Sequence, residues 1–266
     1  MRRSIVLAAF AVILPAAAQA QSADVPPGGA PLHLPRTALA TTPPDYQTDT
    51  ALLAAIDAPT RPEADRARDI FRHPEESLTF WGLTPGMTII EVQPGAAGWW
   101  RVILEPYARA TGGHYAPADD VAALEAQPEG AADLVLIARA FHNWARQGRT
   151  DAVLAAAFRA LKPGGVLAIE QHRSVEGLNV ADTAPTGYVP ESYVIRAAQS
   201  AGFVLEARSE LNANPNDDRN HPFGVWTLPP TRRDSQDGRT LTAQERAAFD
   251  AVGESDRMTL RLRKPA

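Results

Sequence analysis

The chain contains no cysteine. That excludes disulfides, thiolate nucleophiles and cysteine-ligated zinc, and with them a lipid-modified N-terminal cysteine. It has no excess of basic charge either. The 26 Lys and Arg stand against 31 Asp and Glu, a formal net charge of −5, so no global positive field draws nucleic acid. Beyond Ala20 there is no apolar run long enough to span a membrane. Charged residues make up 21% and hydrophobic residues 45% of 266, the balance of a globular protein rather than a disordered one. The length suits one well-buried domain with extensions.

What is present begins with a targeting segment. Arg2 and Arg3 form a basic start, Ile5–Leu14 an apolar run, and Ala18-Gln19-Ala20 a small-x-small cleavage site. The expectation is a signal peptide over 1–20, cleaved after Ala20. It implies export to the periplasm and no stable membrane insertion afterwards. Arg2-Arg3-Ser4-Ile5-Val6 also has the character of a twin-arginine signal, which carries folded proteins; a general secretory signal is the alternative. Residues 21–62 are dense in proline and read as an extended leader, with a short helix over Thr50–Asp57.

A globular domain is expected over 63–266. It starts with a charged helix, Glu63–Arg72, whose Asp65, Arg68, Asp69 and Arg72 read as a solvated face. A second helix spans Glu75–Trp81. The organising stretch follows. Thr88–Val92 reads as a buried strand, Gly95-Ala96-Ala97-Gly98 as a small-residue turn, and Arg101–Thr111 as a helix. Small residues let a backbone approach a ligand closely, and the N–H groups of the next helix point at the same place. Ala132–Ala138 is a nearly continuous apolar run, as in a parallel strand covered on both faces. Asp151–Leu161 reads as a helix closed by Lys162-Pro163-Gly164-Gly165, and Val166–Gln171 as a strand. Pro190–Ala201 reads as a helix, Phe203–Leu211 and Arg257–Arg263 as strands. The long segment 212–256 between the last two is an insertion. Repeated strand–helix units imply an α/β fold, a Rossmann-like doubly wound sheet, mostly parallel, with a C-terminal antiparallel strand.

Five features occur in order: E-V-Q-P-G-A-A-G-W at Glu91–Trp99, A-D-L-V-L-I at Ala132–Ile137, L-K-P-G-G-V-L-A-I-E at Leu161–Glu170, the helix–Gly202–strand unit, and the final strand. Together they resemble class I S-adenosylmethionine-dependent methyltransferases. F-H-N-W at Phe141–Trp144, E-Q-H-R at Glu170–Arg173 and V-W-T-L-P-P at Val225–Pro230 look like an exported bacterial branch of that family. The resemblance implies S-adenosylmethionine as cofactor and a small molecule as methyl acceptor. It implies that Glu91, Gly95, Ala97 and Gly98 lie against the cofactor, that Asp119 binds its ribose hydroxyls, and that Asp133, the acid leading into the fourth strand, also belongs to the cofactor site. Gln93 and Pro94 depart from the family pattern, where a glycine follows the residue after the acid.

The polar residues at strand ends are the other candidates. His142, Glu170 and His172 are expected as catalytic groups, because Glu170 and His172 share one side of a strand and a histidine can act as general base. His142 and His172 read equally as structural, hydrogen-bonded residues. The three could instead form a His-Glu-His metal site, although no metal is assigned. Arg139, Asn143, Trp144 and Arg173 are expected to bind substrate. A non-catalytic or metal-dependent small-ligand-binding protein on the same fold is the alternative.

Overall fold

The computed structural model describes residues 48–266. The expected signal peptide and most of the expected leader lie outside the described residues. Helix α1 (Thr50–Ile56) starts where the Asp49 carboxylate accepts the N–H groups of Ala51 and Leu52, each at 3.0 Å. This segment is not an extended leader. Leu52, Ala55 and Ile56 are buried in the main core, and the Tyr107 hydroxyl donates to Asp49 at 2.6 Å. Arg61, only 2% exposed, donates to the Ile56 carbonyl and grips Asp69 with two further bonds. Among the described residues, packed structure therefore already includes the stretch ahead of Glu63. Pro59 and Pro62 flank a buried arginine, and composition alone could not reveal it.

The single helix expected over Glu63–Arg72 is two short ones, α2 (Glu63–Arg66) and α3 (Asp69–Arg72). Its face is not solvated. Arg68 and Arg72 both reach Glu254, at 2.7 and 2.9 Å, and that pull from across the molecule is what a local charge pattern cannot show. His73 then turns the chain in a left-handed conformation (φ 42°) into α4 (Pro74–Phe80), with Pro74 in the first turn.

Strand β1 (Thr88–Val92), α5 (Arg101–Thr111), β2 (His114–Ala118), α6 (Val121–Glu125) and β3 (Ala132–Ala138) follow. Next come α7 (Phe141–Ala145), α8 (Thr150–Ala160), β4 (Leu161–His172), α9 (Val180–Thr183), α10 (Glu191–Ser200) and β5 (Val204–Ser209). The insertion holds β6 (Pro222–Val225), a small hairpin of β7 (Ser235–Gln236) and β8 (Arg239–Thr240), and α11 (Ala243–Val252); β9 (Arg257–Arg263) ends the fold. The main sheet runs β2-β1-β3-β4-β9-β5. Its first four strands are parallel, and β9 enters antiparallel between β4 and β5. This is the mixed α/β architecture that the sequence implied.

Ile89, Leu134, Leu136 and Ala168 on one sheet face pack on α1, α4 and α5. All four are fully buried, and each large one contributes about 1.5–3 kcal/mol relative to exposure. The Lys162-Pro163-Gly164-Gly165 turn lies inside β4 rather than before it. Leu161 already pairs with Ala132, and the register shifts before Leu134 meets Val166. Gly165 is required there, because a Cβ would fall 2.9 Å from the Lys162 carbonyl oxygen.

The insertion is fastened down. Asp217, 1% exposed, accepts from the Tyr188 hydroxyl at 3.0 Å, His221 Nε2 at 2.7 Å, and the backbone N–H groups of Arg219 and Asp256, both at 2.8 Å. Among the described residues no helix is long and apolar enough to cross a membrane.

Candidate functional site

The chain leaves β1 and crosses to the sheet's edge to form β2, then returns past β1 to form β3 on its other side. The carboxyl ends of β1 and β3 thus lie at the point where the winding reverses. Two successive loops diverge there, and a crevice is unavoidable. The crevice measures about 640 Å³, inside the roughly 300–1,000 Å³ of small-molecule sites. Gln93, Gly95 and Ala96 line it from the β1 turn, Asp119 from the end of β2, and Arg139, Ala140 and Asn143 from the β3 turn; Arg101 lines it from the start of α5.

The β1 turn is tight for identifiable reasons. Gln93 (φ 51°) and Gly95 (φ 70°) both sit in left-handed conformations, which favour glycine and cost another residue about 1–2 kcal/mol. A Cβ on Gly95 would meet nothing within 4 Å, so the space beside it is open to a ligand. Gln93 holds its strained conformation because its N–H donates to the Ala118 carbonyl at 2.8 Å, and because its side-chain oxygen accepts from Asn143 Nδ2 at 3.3 Å. That amide pair ties the two loops together across the crevice.

Asp119, exposed at the β2 end, is placed where hydroxyl groups of a ligand could reach it. Glu91 is behind the crevice rather than in it. It is 2% exposed and accepts from the Tyr115 hydroxyl at 2.7 Å. Burial pushes its carboxyl up to about 7, against the lowering pull of the Tyr115 hydrogen bond and of Arg139 and Arg101. Ala97 is exposed on the turn and Gly98 is buried beside it, both outside the lining.

Arg139 is fixed by Glu170. Its Nη1 donates to Glu170 Oε2 at 2.8 Å, and its backbone N–H donates to the Glu170 carbonyl at 2.7 Å. Glu170 is 0% exposed. Trp100 Nε1 also donates to its Oε2, at 3.3 Å, and Arg257 Nε lies 2.7 Å from its Oε1. Fully buried and ion-paired to two arginines, Glu170 is not presented to a substrate and serves as a counterion rather than a base.

The two histidines lie beside the crevice without lining it. His142 is 5% exposed, with Gln171 Nε2 3.5 Å from its Nδ1 and the Trp226 ring 5.7 Å away. Burial lowers its pKa to about 4. His172 Nδ1 is 2.6 Å from the Ser255 hydroxyl, and burial, with His142, Arg257 and Arg139 nearby, holds it well below the usual histidine range. Both rings are neutral at pH 7 and 6.0 Å apart. Neither has the carboxylate partner that would orient and strengthen a base.

Three expected roles do not survive the geometry. Asp133 sits at the opposite end of the sheet, where it accepts from the Thr88 N–H at 2.8 Å and pairs with Lys162 at 2.6 Å. Trp144, 2% exposed, packs edge-to-face on Phe141 inside the domain. Arg173 is committed to Glu191, Glu210 and Asp256 at 3.3, 2.8 and 2.9 Å. His142, Glu170 and His172 do not converge as metal ligands either. Among the described residues the one group of three that does is Asp217, Asp218 and His221, and Asp217 there is filled by the donors described above. Arg101, Ala138 and Ala140 were not anticipated as lining residues. Arg101 had a signal: it is the first helical residue after the glycine turn.

No protein-family model matches the chain, and no curated protein matches it. Solved structures do. One is a SAM-dependent methyltransferase from Aquifex aeolicus, 19% identical, TM-score 0.43, covering 54% of this chain and 86% of that one. Another is a putative sarcosine dimethylglycine methyltransferase from Galdieria sulphuraria, 15% identical, TM-score 0.46, covering 71% and 83%. A third is the geranyl diphosphate C-methyltransferase of Streptomyces coelicolor A3(2), solved with Mg2+, geranyl diphosphate and S-adenosyl-L-homocysteine. It is 16% identical, TM-score 0.44, covering 79% and 87%.

Proposed function

We propose that the protein transfers a methyl group from S-adenosylmethionine to a small molecule in the crevice between β1 and β3. The observation that carries this reading is the crevice itself. It lies at the reversal of winding, with an open glycine on one wall and an exposed carboxylate, Asp119, at the end of β2. The residues present fit the cofactor. Asp119 offers oxygens to ribose hydroxyls, Gly95 and Ala96 let the ligand lie against backbone, and Arg139 with Arg101 supplies positive charge for a carboxylate. The bound cofactor would supply an electrophilic methyl group on a sulfonium.

What the protein adds is chiefly position. Methyl transfer needs the acceptor in line with the methyl group, and holding two reactants in such geometry is worth up to about 7–11 kcal/mol. The Gln93–Asn143 pair, by tying the loops, keeps the walls at a fixed distance. Neither histidine is in place as a strong base, so the chemistry suits an acceptor that needs no buried base on the protein. Calorimetric titration with S-adenosylmethionine and S-adenosylhomocysteine tests the reading. Both should bind, and Gly95→Val, which fills the open space and strains the left-handed turn by about 1–2 kcal/mol, should abolish binding while the protein stays folded. A folded wild-type protein that binds neither would sink it.

We also propose that the domain works after export, on the strength of the N-terminal basic–apolar–small pattern. Replacing Arg2-Arg3 with two lysines and following the chain to the periplasm tests the route. Loss of export marks the folded route; unchanged export with intact cleavage marks the general one. A chain that stays uncleaved in the cytosol with its native N-terminus would overturn export itself.

A further inference from the structure

Glu170 is one link in a longer chain of charges. Arg139 pairs with Glu170 at 2.8 Å, Glu170 with Arg257 at 2.7 Å, and Arg257 with Glu254 at 2.6 Å. Glu254 also takes Arg72 at 2.9 Å and Arg68 at 2.7 Å, and Arg68 lies 3.7 Å from Asp65. The side chains in the middle are almost wholly buried: Glu170 0%, Arg257 2%, Glu254 3% and Arg72 3% exposed. Four arginines face three carboxylates, so the chain carries one positive charge in excess. Buried charges that are left unbalanced are costly, and a nearby counter-charge relieves the cost.

The chain of charges reaches the crevice at Arg139. Arg139 is 19% exposed and lines it. At the other end Arg68 is 18% exposed, but the arginines there already have carboxylate or ring partners. Arg72 lies against the Trp99 ring at 4.7 Å, and Arg68 is held between Glu254 and Asp65. Arg139 is also fixed in direction, since its backbone is left-handed (φ 58°) and both its N–H and its Nη1 are bonded to Glu170. A planar guanidinium so anchored offers its remaining donors in one fixed orientation, which suits a planar anion. One surplus charge suits a monoanion. Two acids share the neighbourhood: Glu91, whose buried carboxyl feels Arg139, and Asp119 on the far wall.

We propose that the crevice takes a ligand bearing a carboxylate, bound at its β3 side by Arg139. We propose also that Arg257, which does not reach the crevice, keeps Arg139 available by holding the other oxygen of Glu170. Were Arg257 absent, Glu170 would neutralise Arg139 alone. The inference deepens the methyl-transfer reading, on which the identity of the ligand rests. The carboxylate has two possible sources in that reading: the cofactor's own, or that of the acceptor.

Titration of the full-length protein separates them. S-adenosylhomocysteine carries a carboxylate and methylthioadenosine does not. With the cofactor as source, wild type binds the former about 10- to 100-fold more tightly, Arg139→Gln removes the preference without weakening methylthioadenosine, and Arg139→Lys restores part of it. With the acceptor as source, the two nucleosides bind alike, and acetate or benzoate binds the S-adenosylhomocysteine-loaded protein only while Arg139 is present. Carboxylate binding that depends on Arg139 in a protein that binds neither nucleoside keeps this inference and removes the methyltransferase reading. If Arg139→Gln alters no carboxylate's affinity, the inference is wrong.

Arg257→Gln should lower the same preference from a distance and leave methylthioadenosine unaffected; an unchanged preference removes Arg257 from the role. Should that variant not fold, Glu254→Gln tests the same chain with the opposite sign. It adds to the positive excess and should strengthen carboxylate binding, and a weakening would refute the role of the chain.

Discussion

Replacing Glu91 with glutamine should make the protein more stable at neutral pH, by an amount that depends on pH in a defined way. Glu91 is 2% exposed, and burial raises its carboxyl from 4.5 to about 7. The folded protein therefore holds this proton more tightly than the unfolded chain does. Between pH 4.5 and about 7 the unfolded chain has lost the proton and the folded protein keeps it, so stability falls as pH rises. The gap is worth about 1.4 kcal/mol per pH unit, or about 3 kcal/mol once pH exceeds 7. Glutamine keeps the shape and an oxygen for the Tyr115 hydroxyl, without a charge to bury. His142 and His172 act in the opposite direction. Their pKa values are depressed, so their contribution is lost as pH falls below 6.5. They are common to both proteins and cancel in the difference. Urea unfolding followed by tryptophan fluorescence at pH 5, 6, 7 and 8 should show the variant gaining steadily on wild type and levelling off above pH 7. A stability difference that does not change with pH would refute the reasoning.

Two further expectations concern the fold. Leu52→Ala should cost about 2–5 kcal/mol, because α1 is part of the core; a change under about 0.5 kcal/mol, as for a surface site, would return this segment to the leader. Asp217→Asn should destabilise by about 1–3 kcal/mol for each buried donor left unpaired. It should also loosen 212–256 ahead of the sheet, which hydrogen exchange of that segment would show, and uniform exchange across the chain would count against the anchoring role.

The order of elements was legible because it follows local patterns. Ala132–Ala138 had to be buried on both faces, and the turn after Val92 had to be small. The place of Asp119 at the crevice came through the resemblance, which puts an acid just past the second strand. The charged strand ends were not legible. Arg173 reads locally as a cation at the mouth of a site, yet Asp256, which holds it, is 83 positions away. Glu170 reads as a base until Arg257 arrives beside it. Trp144 follows two polar residues that suggest a ligand surface, but the helix α7 turns Asn143 to the crevice and Trp144 inward. Periodicity reports which face a residue takes; it does not report its counterion.

The element that settles these cases is the last to leave the chain. Strand β9 places Arg257 opposite His172 and Thr259 opposite Glu170. The segment just before it supplies Glu254 to Arg68 and Arg72, Ser255 to His172, and Asp256 to Arg173. Three consecutive residues thus tie the N-terminal helices, β4 and the insertion together. In a fold built from local strand–helix units, Glu254 reaches Arg68 and Arg72 across 186 and 182 positions, and that loop must close before those ion pairs can form. The parallel core supplies the crevice, but the direction of Arg139 within it depends on Glu170, and Glu170 on Arg257. Because β9 lies between β4 and β5 with Met258, Leu260 and Leu262 fully buried, the strand that completes the core is also the one that supplies the partner holding the crevice's cation in place.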